Sequence, residues 1–255
     1  MAADVLQRFH PDIAKFVEAV IKNGGMGVCG ELPKIMEPKT SLSYSYARGN
    51  IASCDRFKVL IPYAGRTLKW EVIFNQMQPD FAPDFIFGPQ DLEFVPNVDE
   101  VKSLENWDSS DPQSLVNLIN ELIDQYKHHQ IKQVEQIPRI HFEYTTLAAD
   151  NNYPEFELHV VKGQQNPDVV VNFMIKLPVD LSGVPPYIIK DCPGEDMACL
   201  FVSYASLNGD NVTPTLLLSP RVERAFGGAS NLRIPHWGGV NGCLLEYLPL
   251  IQSFS

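Results

Sequence analysis

The sequence predicts an α+β protein of two units, each an antiparallel β-meander flanked by helices. Three observations predict this class. Short apolar segments with an alternating pattern are typical of strands, and longer stretches with a 3.6-residue apolar repeat are typical of amphipathic helices. The 20 prolines among 255 residues are too many for a helical bundle. Hydrophobic residues make up 45% of the chain, enough for a buried core.

The first unit is predicted to span residues 1–135. Its first helix should begin at His10-Pro11, because proline favours the first helical position, and should end at Gly24. Between these points, apolar residues recur with helical spacing; they are Ile13, Phe16, Val17, Val20 and Ile21.

Strands are predicted next at residues 57–62, 67–74 and 85–87, each a short apolar run beside turn residues. Trp70 lies in the second of these strands and is expected to be buried. Asp111-Pro112 predicts the start of a second helix, and His128-His129 is expected to end it.

The second unit, residues 136–255, is predicted to repeat this order as a divergent copy. Strands are expected at residues 139–144, 156–161, 173–178 and 187–190. Ser219 should cap a short helix that ends at Gly227. A last helical stripe begins at Leu244, and because the sequence stops within it we expect the chain to be a fragment of a longer protein.

The charge balance predicts which partners the chain does not bind. With 20 basic and 31 acidic residues the formal charge is −11, which argues against nucleic acid because phosphates are bound by clustered Lys and Arg. No run approaches the roughly 18 apolar residues of a membrane span, and the first residues show no signal peptide. The five cysteines form no Cys-x-x-Cys pair. We therefore expect an intracellular, soluble protein without membrane contact.

The first unit resembles the ubiquitin-conjugating fold. The segments that carry this resemblance are Ile61-Pro-Tyr-Ala-Gly65, Pro79-Asp-Phe-Ala-Pro83, Phe94-Val-Pro-Asn97, and Trp107 and Pro112 before the second helix. They stand where conjugating enzymes carry a Pro-Tyr-Glu-Gly turn, a proline loop and a His-Pro-Asn element. The resemblance implies two tandem ubiquitin-conjugating-like (UEV) domains, one in each unit.

Further segments resemble the BRE (brain and reproductive organ-expressed) family. They are Cys54-Asp-Arg-Phe-Lys58, Thr67-Leu-Lys-Trp70, Pro83-Asp-Phe-Ile-Phe-Gly88, Leu177-Pro-Val-Asp180, Pro193-Gly-Glu-Asp196 and Leu218-Ser-Pro-Arg221. The resemblance implies a scaffold subunit of the BRISC deubiquitinase and of its nuclear DNA-repair counterpart. The implied partners are a zinc isopeptidase, its scaffold partners and ubiquitin, and the implied location is cytoplasmic and nuclear.

Catalysis is not expected from this chain. A conjugating enzyme carries ubiquitin on a cysteine thiolate, but the sequence has no cysteine from Asp84 to Asp111, and Val95 replaces the histidine of the family motif. Cys192 and Cys199 are interpreted as core residues, the alternative being a thioester enzyme that uses one of them.

No cofactor or metal is expected either. The Gly25–Gly30 segment matches a dinucleotide fingerprint, yet it follows a helix instead of a strand. The histidines lack zinc-ligand spacing, so isopeptidase chemistry would belong to a partner.

An acidic stretch is the candidate interaction site. Nine acidic residues lie from Asp80 to Asp111 against one basic residue, Lys102. The stretch is either a solvated loop or a docking face for a basic partner. The candidate ubiquitin- or partner-binding residues are Asp91, Glu93, Asp99, Glu100 and Trp107, with Phe94 and Phe81 as further aromatic anchors.

Two functions remain open at this point. The first is a non-catalytic scaffold of a deubiquitinase complex. The alternative is a stand-alone ubiquitin-binding or conjugation-cofactor module that works with an active conjugating enzyme.

Overall fold

Two four-stranded antiparallel sheets form the framework of the described residues. The computed structural model describes residues 5–40, 53–75, 77–78, 80–162, 169–185, 187, 196–208, 210–228 and 234–252. The chain separates into two compact units, Met1–His129 and Gln130–Ser255. The assignment of two domains to residues 1–135 and 136–255 stays a prediction.

The first unit contains a helix, a four-stranded meander in the order β1-β2-β3-β4, and further helices. Its elements are α1 (Pro11–Asn23), β1 (Lys34–Lys39), β2 (Arg56–Tyr63), β3 (Arg66–Ile73), β4 (Asp84–Ile86), α2 (Lys102–Glu105) and α3 (Ser114–Val134). The residues of α3 from Gln130 onward belong to the second unit. The predicted first helix and the three predicted strands are confirmed, and β1 is an additional strand.

Local chemistry explains the central hairpin of this sheet. Residues alternate between buried and half-buried along β2, as expected for a strand with one face in the core. Ala64 and Gly65 connect it to β3 with φ angles of 43° and 71°. A two-residue turn with positive φ at both positions matches the twist of the two strands it joins.

Trp70 of β3 lies at the centre of the first core, and its predicted burial is confirmed. Its ring packs edge-on against Phe87 at 5.1 Å and Tyr126 at 6.0 Å, and stacks with Phe94 at 6.1 Å between centroids. Such ring pairs stabilise a core beyond the area that they bury.

The second predicted helix, now α3, differs at both ends. It begins at Ser114 instead of Asp111-Pro112, because the Asp111 carboxylate accepts a hydrogen bond from the Gln113 N–H and forms a turn. The expectation that His128-His129 ends the helix is wrong. α3 continues to Val134, whose side chain is buried in the core of the second unit.

The second unit contains helices and a four-stranded meander in the order β5-β6-β7-β8. Its elements are α4 (Pro138–Ala149), β5 (Phe156–Lys162), β6 (Val169–Leu177), β7 (Ala198–Tyr204), β8 (Val212–Leu218), α5 (Pro220–Ala225) and α6 (Leu244–Gln252). The strands predicted at 156–161 and 173–178 are confirmed, as are the Ser219 cap of α5 and the helix that contains Pro249. The strand predicted at 187–190 lies outside the described residues except for Tyr187.

The strand predicted at 139–144 is wrong, because these residues lie in helix α4. Pro138 occupies the first turn, and the buried residues Ile140, Glu143 and Leu147 are spaced by three and four positions. The core of the unit is formed by one face of the sheet, with Phe173 and Val202, together with Leu244 and Leu248 of α6.

The last strand, β8, contains Pro214 opposite Val202. The N–H of Ala205 donates to the carbonyl oxygen of Asn211 at 3.0 Å. Because hydrogen-bonded and non-hydrogen-bonded pairs alternate in an antiparallel ladder, Val202–Pro214 is a non-hydrogen-bonded pair. The nitrogen of Pro214 therefore faces away from β7.

Candidate partner-binding surface

The segment between β4 and α3 carries most of the predicted interaction residues and is fixed to the first core by three buried side chains. They are Asp91, Phe94 and Val101. The Phe94 ring stacks with Trp70 and meets Tyr126 edge-on at 5.1 Å. Phe94 is therefore a core residue and not an exposed anchor.

Asp91 does not belong to an exposed acidic face, contrary to the expectation from sequence. It is 7% exposed, and its Oδ1 accepts a hydrogen bond from the Tyr126 hydroxyl at 2.7 Å. Burial raises the pKa of the Asp91 carboxyl, and the hydrogen bond from Tyr126 acts in the opposite direction. This acid links the segment to α3 inside the protein.

Two side chains of α3 hold the next part of the segment by its backbone. The Gln125 Oε1 accepts from the Asn97 N–H at 2.7 Å, and its Nε2 donates to the Asn97 carbonyl at 3.0 Å. The Glu121 carboxylate accepts from the N–H and the hydroxyl of Ser103, at 3.0 and 2.9 Å. The backbone of residues 97–103 is thus attached to α3 at both ends.

Between these attachments the segment presents acidic and apolar side chains to solvent. Glu93, Asp99 and Glu100 are exposed, as predicted. Three apolar side chains accompany them: Leu92 is 79% exposed, Val95 83% and Val98 60%. We call residues 92–100 the ridge. Sequence analysis missed its apolar members, because no local pattern separates them from a buried neighbour such as Phe94.

Trp107 has a structural position instead. It is half-buried, and its ring lies 5.2 Å from that of Phe16 in α1 and 6.4 Å from that of Phe74. The Lys15 ammonium of α1 donates to the Ser109 carbonyl beside it. Trp107 therefore packs the end of the segment onto α1.

Other acids of the stretch stabilise turns. Asp108 Oδ1 accepts from the N–H and the hydroxyl of Ser110 at 2.8 and 2.7 Å, which lowers the pKa of its carboxyl. Asp80 Oδ1 accepts from the Ser109 hydroxyl at 3.0 Å. The nine acids are thus not one surface, and Glu93, Asp99 and Glu100 are the predicted site residues that share the ridge.

Among the described thiols, Cys54 and Cys199 are buried, and Cys29 and Cys243 are half-buried. Cys199 is buried in β7, as predicted, and burial raises the pKa of the Cys54 thiol. Cys192 lies outside the described residues. The Gly25–Gly30 segment forms a turn after α1, in which Gly27 and Gly30 have positive φ.

The described residues contain no cluster of three or more His, Cys, Asp or Glu side chains arranged for a metal ion. None of their helices combines the length and apolar character needed to cross a membrane.

Comparison with known proteins gives consistent matches over nearly the whole chain. The family model of the brain and reproductive organ-expressed protein (BRE) matches residues 7–255. A Branchiostoma floridae protein named "BRISC and BRCA1-A complex member 2" is 40% identical over 253 residues, covering 98% of this chain and 65% of the relative. A Danio rerio protein of the same name is 38% identical over 256 residues, covering 96% of this chain and 64% of the relative. The chain thus spans slightly less than two thirds of the length of these relatives.

Proposed function

The chain belongs to the BRE family, and from that premise we propose that it is a non-catalytic scaffold subunit of a deubiquitinase complex. The observation that carries this proposal is the similarity, over almost the entire chain, to relatives named as members of the BRISC and BRCA1-A complexes. Its partners would be a zinc isopeptidase and the scaffold proteins around it, in the cytoplasm and the nucleus.

The proposed architecture is a tandem of UEV domains at residues 1–135 and 136–255. Two observations support it. The first unit has the order helix, four-stranded meander, helix, with the conjugating-enzyme-like motifs in its turns. The second unit also contains a four-stranded antiparallel meander flanked by helices.

The proposed lack of catalysis rests on the segment between β4 and α3. It carries no cysteine in the sequence, and the backbone of Asn97 is hydrogen-bonded to Gln125. Because a thioester needs an accessible thiolate, we propose that this chain does not transfer ubiquitin and that zinc chemistry belongs to the isopeptidase.

Assembly tests the scaffold role. The chain would be co-expressed with the isopeptidase and the other BRISC subunits, and the complex isolated through a tag on the isopeptidase. We expect this chain in stoichiometric amount, and we expect the other subunits to associate less completely when it is omitted. An assembly of unchanged composition and yield without this chain would contradict the proposal.

A thioester assay tests the absence of catalysis. The chain is incubated with activating enzyme, ATP and ubiquitin, and no reducible adduct is expected. An adduct that disappears in C192S or C199S, but persists in the matched buried-thiol variant C54S, would show that the chain is an enzyme.

Ubiquitin is a second proposed partner, and the exposed acids of the ridge are the candidate contact. Titration of isotope-labelled ubiquitin with this chain should give saturable amide shifts that weaken in E93Q/D99N/E100Q. Absence of shifts at millimolar concentration would remove ubiquitin from the partners and leave the scaffold role to the assembly experiment.

A further inference from the structure

We propose that the ridge docks a protein segment whose apolar side chains are flanked by Lys or Arg. The inference rests on the proposed scaffold function and specifies a surface through which the chain meets another subunit. It combines three properties of residues 92–100: exposed apolar side chains, a fixed backbone and an excess of acidic side chains.

The apolar side chains of the ridge are exposed to solvent. Leu92, Val95 and Val98 are among the most exposed large apolar residues of the described chain. In the same segment, the side chains of Asp91, Phe94 and Val101 are buried instead. Exposed apolar side chains gathered in one short segment are typical of an interaction site.

The backbone of the ridge is pre-ordered for binding. The Phe94 N–H donates to the Asp91 carbonyl at 2.9 Å, and Val101 donates to Val98 at 3.1 Å. Gln125 binds both backbone groups of Asn97. The backbone of the ridge therefore loses little further conformational entropy when a partner binds, and this favours association.

The charge of the ridge selects the partner. Glu93, Asp99 and Glu100 are exposed in the same segment as the apolar side chains. Asp124 of α3 is also exposed, and it precedes Gln125, which is hydrogen-bonded to Asn97. Residues 92–100 contain three acids and no Lys or Arg, and Lys127 pairs with Asp124 at 3.2 Å. This acidic excess favours a partner that carries Lys or Arg around its apolar contact residues.

The test measures the kinetics of this full chain binding to the immobilised assembly of the other BRISC subunits. The first variant, L92S/V95S/V98S, removes the apolar contacts at constant charge. The second, E93Q/D99N/E100Q, removes the charge and keeps the shape. Matched controls lie in the same unit but outside residues 80–111: L32S/M36S changes two other exposed apolar positions, and D12N/E31Q changes two other exposed acids.

The two ridge variants should differ in which rate they change. The apolar variant should raise the dissociation rate about tenfold or more, because buried apolar anchors set complex lifetime. The charge variant should lower the association rate and flatten its dependence on salt. Both control variants should bind like the unmodified chain, and all four should keep its melting temperature because the changed side chains are exposed.

Two outcomes are adverse, and they are distinguishable. If the unmodified chain binds and both ridge variants bind with unchanged rates, the ridge inference is wrong and the scaffold role stands. If the unmodified chain does not bind the assembly at all, the scaffold function fails and the ridge inference fails with it. Equal losses of binding in the ridge variants and in the control variants would also overturn the inference, because the effect would then not be specific to the ridge.

Discussion

The role of Asp91 in the structure differs from the role that the sequence predicts. In the sequence it is one of nine acids in a polar stretch, which is typical of a solvated loop. In the structure it is buried against the hydroxyl of Tyr126, 35 positions further along the chain. No local pattern could predict this pairing, because it depends on how α3 crosses the segment. The exposure of Glu93, Asp99 and Glu100 needed no distant partner and was predicted correctly.

Replacing Asp91 should change how stability depends on pH. Burial raises the carboxyl pKa in the folded state, so from about pH 4 upward the folded protein keeps a proton that the unfolded chain releases. The free energy of unfolding should therefore decrease as pH rises through this window and level off above the folded pKa. In D91N the side chain does not titrate, so this pH dependence is absent. Its amide oxygen can still accept the hydrogen bond from the Tyr126 hydroxyl.

Urea denaturation at several pH values measures this effect as the difference between the unmodified chain and D91N. Y126F serves as the matched variant: without the hydroxyl that lowers the Asp91 pKa, the decrease should extend to higher pH. Parallel stability curves for the unmodified chain and D91N across the acidic range would refute the prediction.

Helix α4 shows why an element can be misread. Ile140, Phe142 and Tyr144 alternate with polar residues, which is a strand pattern. The structure buries Ile140, Glu143 and Leu147 instead and leaves Phe142 exposed. The helical stripe was hidden because one of its buried members is a charged residue. Strands β2 and β3 were easier to predict, since their buried positions are apolar.

The burial of Glu143 has a local cause. Its Oε2 accepts the N–H of Leu244, the first residue of α6, at 2.8 Å, and so provides a partner for one of the unpaired donors of that helix. One turn earlier, Arg139 donates to the carbonyl oxygens of Val240 and Gly242 at 2.6 and 2.7 Å. These two side chains of α4 fix the start of α6.

Removing the Glu143 acceptor should destabilise the second unit. E143A leaves the buried N–H of Leu244 unpaired and should lower the free energy of unfolding by about 1–3 kcal/mol. E143Q keeps an oxygen at the same place and should lose less. Chemical denaturation followed by circular dichroism gives both free energies of unfolding. Hydrogen exchange at the Leu244 amide measures directly whether its hydrogen bond to residue 143 is kept. Equal losses in the two variants would show that the hydrogen bond is not the cause.

At the scale of the whole molecule, the chain contains two sets of core side chains, one in each unit. Trp70 contacts Phe87, Phe94 and Tyr126 in the first. Phe173 is buried in the second, where its ring meets Tyr204 edge-on at 5.8 Å. Because alternation is a local property, the sequence predicted strands β2 to β6, but it did not predict β1, β7 or β8. It could not predict the ridge, whose exposure results from long-range anchoring.

Local amide exchange in the full chain should separate the two cores. W70A should cost about 3–5 kcal/mol and accelerate exchange in β2 and β3 more than in β6 and β7. F173A should show the opposite pattern, which makes it the matched control. If either substitution accelerates exchange equally in both sheets, the two units unfold as one and the prediction is wrong.

The outward nitrogen of Pro214 has a consequence for the behaviour of the protein at high concentration. A last strand that offers an unbroken row of N–H groups is a template on which another chain can add a strand and begin a fibril. In β8 that row is interrupted at Pro214, just before the apolar sequence Leu216-Leu217-Leu218. The proline thus acts as a gatekeeper against aggregation, at a position where its missing N–H removes no hydrogen bond from the sheet.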